Sequence, residues 1–528
     1  MNLAKSALWV TLSEILFNLS GFIIHSVLGR FLGPADYGRY GIIITLTTMV
    51  IILIGNGIPT AMAKYISEYF THNSAMVKII KRQAIILQTI VIGSITILFF
   101  FSIPLICRFL GDPTLIPLFR ISTLIIPAFA AASFYFSYYT GLHRFNLQAT
   151  LKTLRSVFRI VFVIGLAYFF KVEGSIVGYI IAPSSIFLVA YLIDKFYVDP
   201  QLKKQEENCH PEFISGSNNI VIPAKAGIQS DLLNSGSKAG MTFDWRKLVN
   251  YAWQIVIFFL AYELLISIDL YLVKGILRDD TLTGIYNGAL TVGRIPYYIF
   301  YAMTIFLLPM VSKSTAENNH EKTAQILGSS LRILLILLVP MIILMSVFAK
   351  PILTIFYGAP YAQGALAMSI LEYGVGFLTI FYVLSFAMNG AGKTKITMLI
   401  ASAGFILNTI LNYVLIKKYG ITGSAIATTI TSFTIMLWML FCLRRDFGVS
   451  LKFLNLFRVF ISGAIIYFAA GFLAQGNIIF IFWSLLLFAL YLAILYLLGE
   501  ITKKDWDYVL SLVKRKPSAE IKPTLENT

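Results

Sequence analysis

Long apolar stretches fill nearly the whole chain, and the later stretches repeat the earlier ones. The clearest trace is a turn at Gly141-Leu-His-Arg144 that precedes Gly174-Ser-Ile-Val-Gly178, matched by Gly390-Ala-Gly-Lys393 before Gly423-Ser-Ala-Ile-Ala427. Both glycine-to-glycine separations are 33 residues (174 − 141 and 423 − 390), and the copies are offset by 249 (390 − 141). Because a duplicated bundle of membrane helices, with its site between the halves, is the usual build of a transporter, the repeat predicts a transporter.

The composition excludes a soluble protein. The chain has 528 residues, of which 58% are hydrophobic and 13% charged, whereas soluble domains are about 45–50% apolar and about 25% charged. In a bilayer every backbone N–H and C=O must be paired within the protein, so only helices or closed barrels span it. Apolar runs of about 20 residues fit helices rather than the shorter alternating strands of a barrel. We therefore predict an all-α polytopic membrane protein.

About fourteen transmembrane helices are predicted. They lie near residues 7–30, 40–63, 84–107, 114–140, 147–170, 174–198, 248–274, 282–309, 328–350, 363–389, 395–417, 421–443, 455–474 and 478–499. A polar segment rich in Gly, Ser, Pro and Asn, 199–247, interrupts them at the join of the two halves, and we predict a flexible insertion there. The predicted units are 1–198, the insert 199–247, 248–445, two additional helices in 446–500 and a tail, 501–528.

The loop charges predict an orientation. Lys and Arg are concentrated in the loops on one side, which include Lys64, Lys78, Lys81, Arg82, Arg144, Lys152, Lys313, Lys322, Lys393, Lys395, Arg444, Arg445 and Lys452. The insert and the tail lie on the same side, and the opposite loops carry fewer cations. Because cytoplasmic loops carry the excess of positive charge, both termini are predicted to be cytoplasmic.

Arginines inside or beside the predicted spans form the first group of candidate site residues. Arg155 and Arg159 lie one helical turn apart in the fifth span, Arg294 lies within the eighth, and Arg30 lies at the outer end of the first. A charge at membrane depth costs roughly 2.5–3.5 kcal/mol, so such residues usually face a cavity or a partner. Arginine binds phosphate through two parallel hydrogen bonds and stays charged at cellular pH. Arginines that line one cavity therefore predict an anionic cargo, and a lipid diphosphate carrying sugars fits.

Acidic residues within the spans form the second group. Glu14 lies in the first span, Glu263 and Asp269 in the seventh and Glu372 in the tenth. We expect Asp269 and Glu263 to pair with the arginines, whereas in a cation-coupled transporter Glu14, Asp269 and Glu372 would carry the ion coupling. His25 is predicted to be a hydrogen-bonded interior residue.

Other classes of function find little support. Gly390-Ala-Gly-Lys-Thr394 resembles the end of a phosphate-binding loop, but Ala387 stands where that motif needs glycine, and a membrane helix precedes it. Asp279-Asp280 is predicted to lie in a solvated loop rather than in a metal-dependent glycosyltransferase. The three cysteines are far apart, and the net charge of +17 is spread over short loops. We expect no enzyme activity, no cofactor, no metal and no nucleic-acid partner.

One segment resembles a known family. Gly29-Arg-Phe-Leu-Gly-Pro-Ala-Asp-Tyr-Gly-Arg-Tyr-Gly41 is similar to the first extracytoplasmic loop of Wzx-type polysaccharide (O-antigen) flippases of the multidrug/oligosaccharidyl-lipid/polysaccharide exporter superfamily. The resemblance continues through Gly57-Ile-Pro-Thr-Ala61, Tyr139-Thr-Gly-Leu-His-Arg144, Ser267-Ile-Asp269, Gly284-Ile-Tyr-Asn-Gly288, Arg294-Ile-Pro296, Leu308-Pro309, Ile355-Phe-Tyr-Gly358, Asn412-Tyr-Val-Leu415 and Tyr419-Gly-Ile-Thr-Gly-Ser-Ala-Ile-Ala-Thr428. It covers essentially all of the chain except the insert and the tail.

The resemblance implies an architecture and a cargo. It implies two pseudo-symmetric six-helix bundles around a central cavity, with two more helices at the C-terminus. It also implies translocation of an undecaprenyl-diphosphate-linked oligosaccharide across the bacterial inner membrane by alternating access, with Arg30, Arg155, Arg159 and Arg294 meeting the diphosphate or acidic sugars. The implied partners are the lipid-linked glycan, membrane lipids, and polysaccharide polymerase or assembly proteins.

Three alternatives stay open. The first is a flippase for the lipid II-type peptidoglycan precursor or for a teichoic or sporulation precursor. The second is a cation-coupled multidrug antiporter of the same superfamily. The third, a membrane glycan polymerase or ligase, needs a large extracytoplasmic catalytic loop, and the only large predicted loop is cytoplasmic.

Overall fold

A computed structural model describes residues 3–55, 57–70, 74–202, 244–317, 319–449, 453–473 and 479–501. Every regular element in these ranges is helical, which confirms the all-α prediction. Nine helical segments within them are long and apolar enough to cross a membrane. Most of the predicted insert and all but the first residue of the predicted tail lie outside the described residues.

Fifteen α-helices are described in these ranges. They are α1 Leu3–Gly55, α2 Ile58–Tyr69, α3 Ser74–Leu110, α4 Ile116–Ser122, α5 Ile125–Gly141, α6 Phe145–Ile193, α7 Trp245–Leu277, α8 Asp280–Gly293, α9 Ile295–Ala316, α10 His320–Val347, α11 Ala349–Tyr357, α12 Ala365–Gly390, α13 Thr394–Phe447, α14 Phe453–Gly471 and α15 Ile479–Leu497. Short 3-10 turns occupy Pro113–Leu115 and Ala359–Gly364, and a π-helical turn occupies Asp194–Val198.

Three helices are too long for a single crossing. With 53, 49 and 54 residues, α1, α6 and α13 would each extend about 75–80 Å, more than twice the ~30 Å hydrocarbon core of a bilayer. Each is instead two helices joined at a kink, which contains Gly33 (φ 75°), Lys171 (φ 48°) or Gly420 (φ 58°). Length and kink together indicate two crossings for each.

The sequence repeat is also a repeat of structure. Lys171 and Gly420 are 249 residues apart (420 − 171), the offset of the two copies. Just beyond each kink, a Cβ atom on Gly174 would lie 2.0 Å from the Leu166 carbonyl oxygen, and one on Gly423 would lie 2.0 Å from that of Leu415. No side chain fits such an approach, so both copies need glycine at this position.

The cation of each repeated turn makes an equivalent contact. Arg144 donates a hydrogen bond to Gln201 and lies 5.5 Å from the ring centroid of Tyr197. In the second copy Lys393 pairs with Asp446 at 2.8 Å. Tyr197 and Asp446 are again 249 residues apart (446 − 197). Each cation therefore ties its turn to the end of the same kinked helix.

The N-terminal part of the molecule is the described chain from 3 to 202, and the C-terminal part is the described chain from 244 to 501. The helices run alternately between two ends of the bundle. The Gly33 end contains the kink at Gly33 and the loops after α3, α7 and α11, and the Gly392 end contains the loops after α5, α12 and α13.

The last two helices pack against α10. Their apolar contact is formed by Ile343, Val459, Ile466, Tyr491 and Leu495. At the Gly392 end the buried carboxylate of Glu500 accepts a 2.8 Å hydrogen bond from Arg332 Nε and a 3.5 Å hydrogen bond from Arg458. An ion pair to α10 thus anchors the C-terminal end of this helix pair.

Candidate functional site

Charged side chains join the two parts at the Gly33 end. Arg39, on α1, pairs with Asp280 at 2.9 Å, and Lys274, on α7, pairs with Asp112 at 2.9 Å and also with Asp280. Arg39 and Asp112 belong to the N-terminal part and the other two residues to the C-terminal part. Partial burial favours the neutral form of Asp112, but hydrogen bonds from Thr114 and Lys274 outweigh it and lower its pKa. These four residues, hereafter the latch, hold the two parts together.

The loop prediction for Asp279-Asp280 is therefore wrong for the second aspartate. Asp279 caps α8, because its side chain accepts a hydrogen bond from Leu282 N at 2.9 Å, and Asp280 is the first residue of the helix. The capped helix start directs the Asp280 carboxylate toward α1 and α7, where it forms the ion pairs of the latch.

The backbones of the two parts meet next to the latch. A Cβ atom on Gly284 would lie 1.8 Å from the Pro34 carbonyl oxygen, and one on Gly38 would lie 2.3 Å from that of Asp280. Only residues without a side chain allow α1 and α8 to approach this closely. Ion pairs and close backbone packing together close the bundle at the Gly33 end.

Beneath the latch, α1 contacts α11 and the turn that follows it. His25 Nδ1 hydrogen-bonds the Tyr37 hydroxyl at 2.9 Å, which confirms the prediction for His25, and Tyr37 donates to the Tyr357 hydroxyl at 3.3 Å. The Tyr361 hydroxyl donates to the Gly29 carbonyl oxygen at 2.9 Å. Arg30 also lies here and donates to the carbonyl oxygens of the last turn of α11. Arg30 thus lies at the closed end in this conformation.

Arg155 and Arg159 share one aromatic ring. Their guanidinium carbons lie 4.3 and 4.2 Å from the ring centroid of Phe17, on α1. Arg155 is buried, lies over two further phenylalanine rings, and its Nε has no hydrogen-bond partner among the described residues. Arg159 donates to the Phe17 carbonyl oxygen at 2.8 Å and to Ser20 Oγ at 2.6 Å. In the described parts of the chain no ion pair joins either arginine to a carboxylate within 4 Å.

Arg294 lies at the junction between α8 and α9. It ends the first helix, precedes the second, and donates a hydrogen bond to the Ile266 carbonyl oxygen on α7. Asp269 and Glu263 lie within electrostatic range of it. Among the described residues no ion pair within 4 Å joins Arg294 to either carboxylate, so the direct pairing predicted from the sequence is not formed. Asp269 instead accepts hydrogen bonds from Tyr286 at 3.1 Å and Thr428 at 3.5 Å.

The structure brings Arg159 and Arg294 toward one region between the two parts. Tyr298, on α9, lies within electrostatic range of both arginines, and so does His25, on α1. Arg155 lies one turn from Arg159 on the same helix. Three of the four predicted arginines therefore belong to one region, with Arg30 at the closed end beside it.

The three acidic candidates have different environments. Glu14 pairs with Lys152 on α6. Asp269 is buried and accepts hydrogen bonds from two hydroxyl groups and from Leu270 N. Glu372 is fully buried, and neither carboxyl oxygen has a hydrogen-bond partner among the described residues. A Cβ atom on Gly293 would lie 3.3 Å from Glu372 Oε1, so this carboxyl lies beside the junction that holds Arg294.

The buried amides near Asp269 were not predicted as site residues, because they carry no charge. Asn408 Nδ2 donates to the Leu265 carbonyl oxygen at 3.1 Å, and Asn412 Nδ2 donates to Asn408 Oδ1 at 2.8 Å. Ser424 donates to Asn412 Oδ1 at 2.6 Å. The sequence does contain a signal for them, because two amides one turn apart in an apolar span need polar partners.

The described residues contain no group of three or more His, Cys, Asp or Glu side chains placed to hold a metal ion. A cavity of about 580 Å³ opens at the Gly392 end between α10 and the last two helices, where Gln325, Ser329, Arg332 and Asn455 contribute to its lining. It lies apart from the four candidate arginines. The candidate site residues are the charged and aromatic side chains between the two parts.

The two parts repeat the same kinked helices, and charged side chains lie within the membrane-spanning helices between them. These features define a polytopic α-helical transporter. Residues 3–315 match the family model described as "Polysaccharide biosynthesis protein", and residues 220–513 match that described as "Lipid II flippase MurJ". Each match covers more than half of the chain. The chain belongs to the polysaccharide biosynthesis protein family, within the multidrug/oligosaccharidyl-lipid/polysaccharide exporter superfamily, as its sequence predicted.

The chain is also similar to individual proteins. "Uncharacterized membrane protein MJ1068" of Methanocaldococcus jannaschii is 23% identical over 458 residues, 84% of each chain. The fold is similar to "Lipid II flippase MurJ, inward closed conformation" (TM-score 0.69, 15% identity, 97% of this chain and 100% of that one). It is also similar to an inward-facing "multidrug resistance MATE family transporter of the MOP superfamily" (TM-score 0.62, 14% identity, 82% and 94%). At these identities the two structures support the fold alone.

Proposed function

We propose that this chain is a flippase that moves an undecaprenyl-diphosphate-linked oligosaccharide across the bacterial inner membrane by alternating access, for the assembly of a surface polysaccharide such as O-antigen. Membership of the polysaccharide biosynthesis family supports the substrate class. The excess of Lys and Arg in loops of the Gly392 end supports cytoplasmic termini. The Gly33 end is then extracytoplasmic, and the latch holds a state closed to the outside.

The observation that carries the proposal is a pair of arginines that have no carboxylate partner among the described residues where the two parts meet. Arg155 and Arg159 share the Phe17 ring without a carboxylate within ion-pair distance in the described chain, and Arg159 and Arg294 approach Tyr298 from opposite parts. Guanidinium groups at membrane depth require an anionic partner or a hydrated cavity. A diphosphate supplies charge of the right sign and accepts several charge-assisted hydrogen bonds.

Alternating access assigns the arginines to different stages. Arg159 and Arg294 bind the diphosphate while the Gly33 end is closed. Arg30, which now binds carbonyl oxygens of α11, is released when the latch opens and meets the head group at the outer end. The moving units are the two six-helix bundles, 1–198 and 248–445, linked by the insert 199–247. The helices in 446–500 complete the bundle, and the segment 501–528 is a cytoplasmic tail.

Asp269 is the preferred site for a coupling cation. It lies beside oxygen atoms of Tyr286 and Thr428 and near the Asn408–Asn412 amides. Glu14 is already neutralised by Lys152, and the Glu372 carboxyl has no hydrogen-bonding neighbour among the described residues with which to share an ion. A carboxylate with two hydroxyl oxygens beside it matches the preference of hard cations for oxygen ligands.

A lipid II-type precursor is the second candidate substrate, because the MurJ family model also matches more than half of the chain. The two substrates share a lipid diphosphate and differ in their sugars and in the peptide of lipid II. The unpaired arginines fit both substrates, because they would contact only the shared diphosphate.

Transfer in proteoliposomes tests the proposal. Fluorescent polyprenyl-diphosphate oligosaccharide is placed in one leaflet, and its exposure on the other side is measured with a glycosidase, in parallel with labelled lipid II. The native protein should transfer the oligosaccharide faster than lipid II, and Arg159→Gln and Arg294→Gln should each slow transfer at least about tenfold. Lys350→Gln, which removes an exposed cation at the Gly33 end, is the matched control. Rates equal to those of empty liposomes for both lipids would refute the flippase, and a preference for lipid II would replace the substrate.

A further inference from the structure

Two tyrosines extend the arginine region along α9. Tyr298 and Tyr301 follow Arg294 by four and seven residues, a spacing that places all three on one face of a helix. The distance from Arg294 to Tyr301 along the helix axis is about 10 Å. The face therefore begins with a cation and continues with two aromatic rings.

This face is turned toward the N-terminal part. Tyr298 lies within electrostatic range of Arg159, on α6, and Tyr301 within range of Glu14, on α1. Tyr298 is nevertheless 44% exposed, and Tyr301 is partly exposed. Both side chains therefore have charged neighbours on the opposite part and keep accessible surface at the boundary between the two parts.

The neighbouring tyrosine shows that this exposure is specific. Tyr297 points into the C-terminal part, where its ring centroid lies 4.8 Å from that of Tyr382 and 6.3 Å from that of Tyr262. The Tyr382 ring also stacks on the Tyr301 ring, with 6.1 Å between the ring centroids and 27° between the ring planes. Tyr297 thus packs α9 against α12, whereas Tyr298 keeps an accessible ring for a ligand and Tyr301 is held in position from behind.

We propose that Tyr298 and Tyr301 form a sugar subsite that binds the first sugars of the lipid-linked glycan while Arg159 and Arg294 bind its diphosphate. The inference rests on the flippase proposed above. The C–H groups on one face of a sugar ring carry partial positive charge and pack against the electron-rich face of an aromatic ring. Tyrosine adds a hydroxyl that hydrogen-bonds sugar hydroxyls, and it loses little conformational freedom on binding.

The subsite has consequences for the bound ligand. Since α9 runs from Arg294 toward the Gly392 end, the glycan would extend from the diphosphate toward that end. The Glu14–Lys152 pair beside Tyr301 offers both a hydrogen-bond acceptor and a donor at no net charge. The first sugars should therefore be neutral rings with a flat C–H face, and an acidic first sugar would gain nothing from this surface.

Binding measurements on the full-length protein in nanodiscs test the subsite. The probes are a farnesyl-diphosphate-linked disaccharide of neutral sugars and farnesyl diphosphate without sugars. Tyr298→Ala and Tyr301→Ala should each weaken binding of the glycosylated probe about tenfold, as expected for the loss of one aromatic contact. Binding of farnesyl diphosphate should change less than about twofold, because its contacts with the arginines remain. Tyr467→Ala is the matched control, since Tyr467 is also 44% exposed but lies on α14.

Three further results separate the inference from its rivals. Tyr298→Phe should keep most of the affinity for the glycosylated probe, whereas equal losses for both probes would show that the hydroxyl only positions Arg294 and would overturn the sugar subsite. Tyr298→Leu fills the same helix face without a flat ring and should behave like Tyr298→Ala, so a folding defect of the alanine variant does not decide the test. Binding of neither probe by the native protein would refute the flippase itself, and unchanged affinity in every tyrosine variant would refute only the subsite.

Discussion

The two parts of the chain repeat one backbone and carry opposite chemistry inside it. Arg159 in the first copy and Asn408 in the second are 249 residues apart (408 − 159), and both donate hydrogen bonds to backbone carbonyl oxygens of the first long helix of their own part. The first copy adds Arg155 over the Phe17 ring, whereas the second holds the buried carboxyls of Asp269 and Glu372. Duplication kept the kinks and glycines that shape the helices, while the interior diverged into a cationic part and an acidic part.

The same contrast holds for a buried serine. Ser175 donates to the Val172 carbonyl oxygen of its own helix at 2.6 Å, but its repeat equivalent Ser424 donates to Asn412 Oδ1. The first copy has Val163 at the position of Asn412 (412 − 163 = 249). The difference between Val163 and Asn412 thus decides whether the serine hydrogen-bonds its own helix or joins a network of polar side chains. If the flippase proposal holds, the first part contributes most of the anion site, with Arg294 from the second part, and the acidic side chains of the second part are the candidates for binding a cation.

The largest effect is expected when the first copy is made to resemble the second. Arg159→Asn keeps a donor near the Phe17 carbonyl oxygen but removes the charge. Because hydrogen bonds to charged groups contribute about 1.5–3 kcal/mol, lipid-diphosphate binding should weaken roughly tenfold to a hundredfold. Transfer in proteoliposomes should fall in proportion, and Arg159→Lys should retain part of it, since lysine keeps the charge without the fork of guanidinium donors.

The repeat equivalent of Arg155 is Gly404 (404 − 155 = 249), which has no side chain to exchange, so the comparison rests on Arg159. The control for Arg159→Asn is Lys350→Gln, which should transfer lipid at the native rate. Native transfer by Arg159→Asn would contradict the assignment of the anion site to the N-terminal part.

The reverse change should lower stability. Asn412→Val makes the second copy resemble the first and removes both the acceptor of the buried Ser424 hydroxyl and the 2.8 Å donor to Asn408 Oδ1. Each such loss costs about 1–3 kcal/mol, so the midpoint of thermal unfolding should fall measurably in detergent. Val163→Leu, an apolar change at the equivalent position, provides the control and should shift the midpoint less. An unchanged midpoint for Asn412→Val would mean that the amide network contributes nothing to the acidic part.

Removal of charge from Asp269 should separate binding from coupling. Asp269→Asn keeps hydrogen-bonding atoms near Tyr286 and Thr428 but cannot neutralise a cation, so the dependence of transfer on Na⁺ or on a proton gradient should disappear. Binding of the lipid diphosphate should not weaken, because Arg159 lies in the other part and Arg294 loses only a neighbouring negative charge. Transfer that still follows the same ion gradient in Asp269→Asn would exclude this site, and Glu372→Gln, tested alongside, would show whether the unpartnered carboxyl carries the coupling instead.

The fold was largely predictable and the environments of the site residues were not. Apolar runs and the 249-residue repeat predict the helices, because length and hydropathy act locally along the chain. The same patterns cannot tell that Glu14 meets Lys152, 138 residues away, or that Asp280 joins the latch. Amides and tyrosines were missed for a different reason: they carry no charge that marks them within an apolar span, although Asn408, Asn412 and Tyr298 have central positions.

The smallest effect is expected for the partly exposed Arg39–Asp280 pair of the latch, because Asp280→Asn leaves the buried Lys274 paired with Asp112. Ion pairs of this kind contribute about 0.2–1 kcal/mol, so Asp280→Asn should raise the rate of maleimide labelling at Ser26→Cys, beneath the latch, only a few-fold, in a protein whose native cysteines are replaced. Glu317→Gln, which breaks the exposed pair with Lys322 at the opposite end, should leave labelling unchanged.

Since hydrogen bonds lower the pKa of Asp112, its contribution to closure is complete at neutral pH and is lost only as pH falls through that lowered value. Labelling rates of the otherwise native latch, divided by the rates of a fully exposed cysteine at the same pH to remove the change in thiolate fraction, should therefore show no opening between about pH 6 and 8, well above the usual range of an aspartate. Opening within that range would mean that a group other than the Asp112 carboxylate controls the closed end.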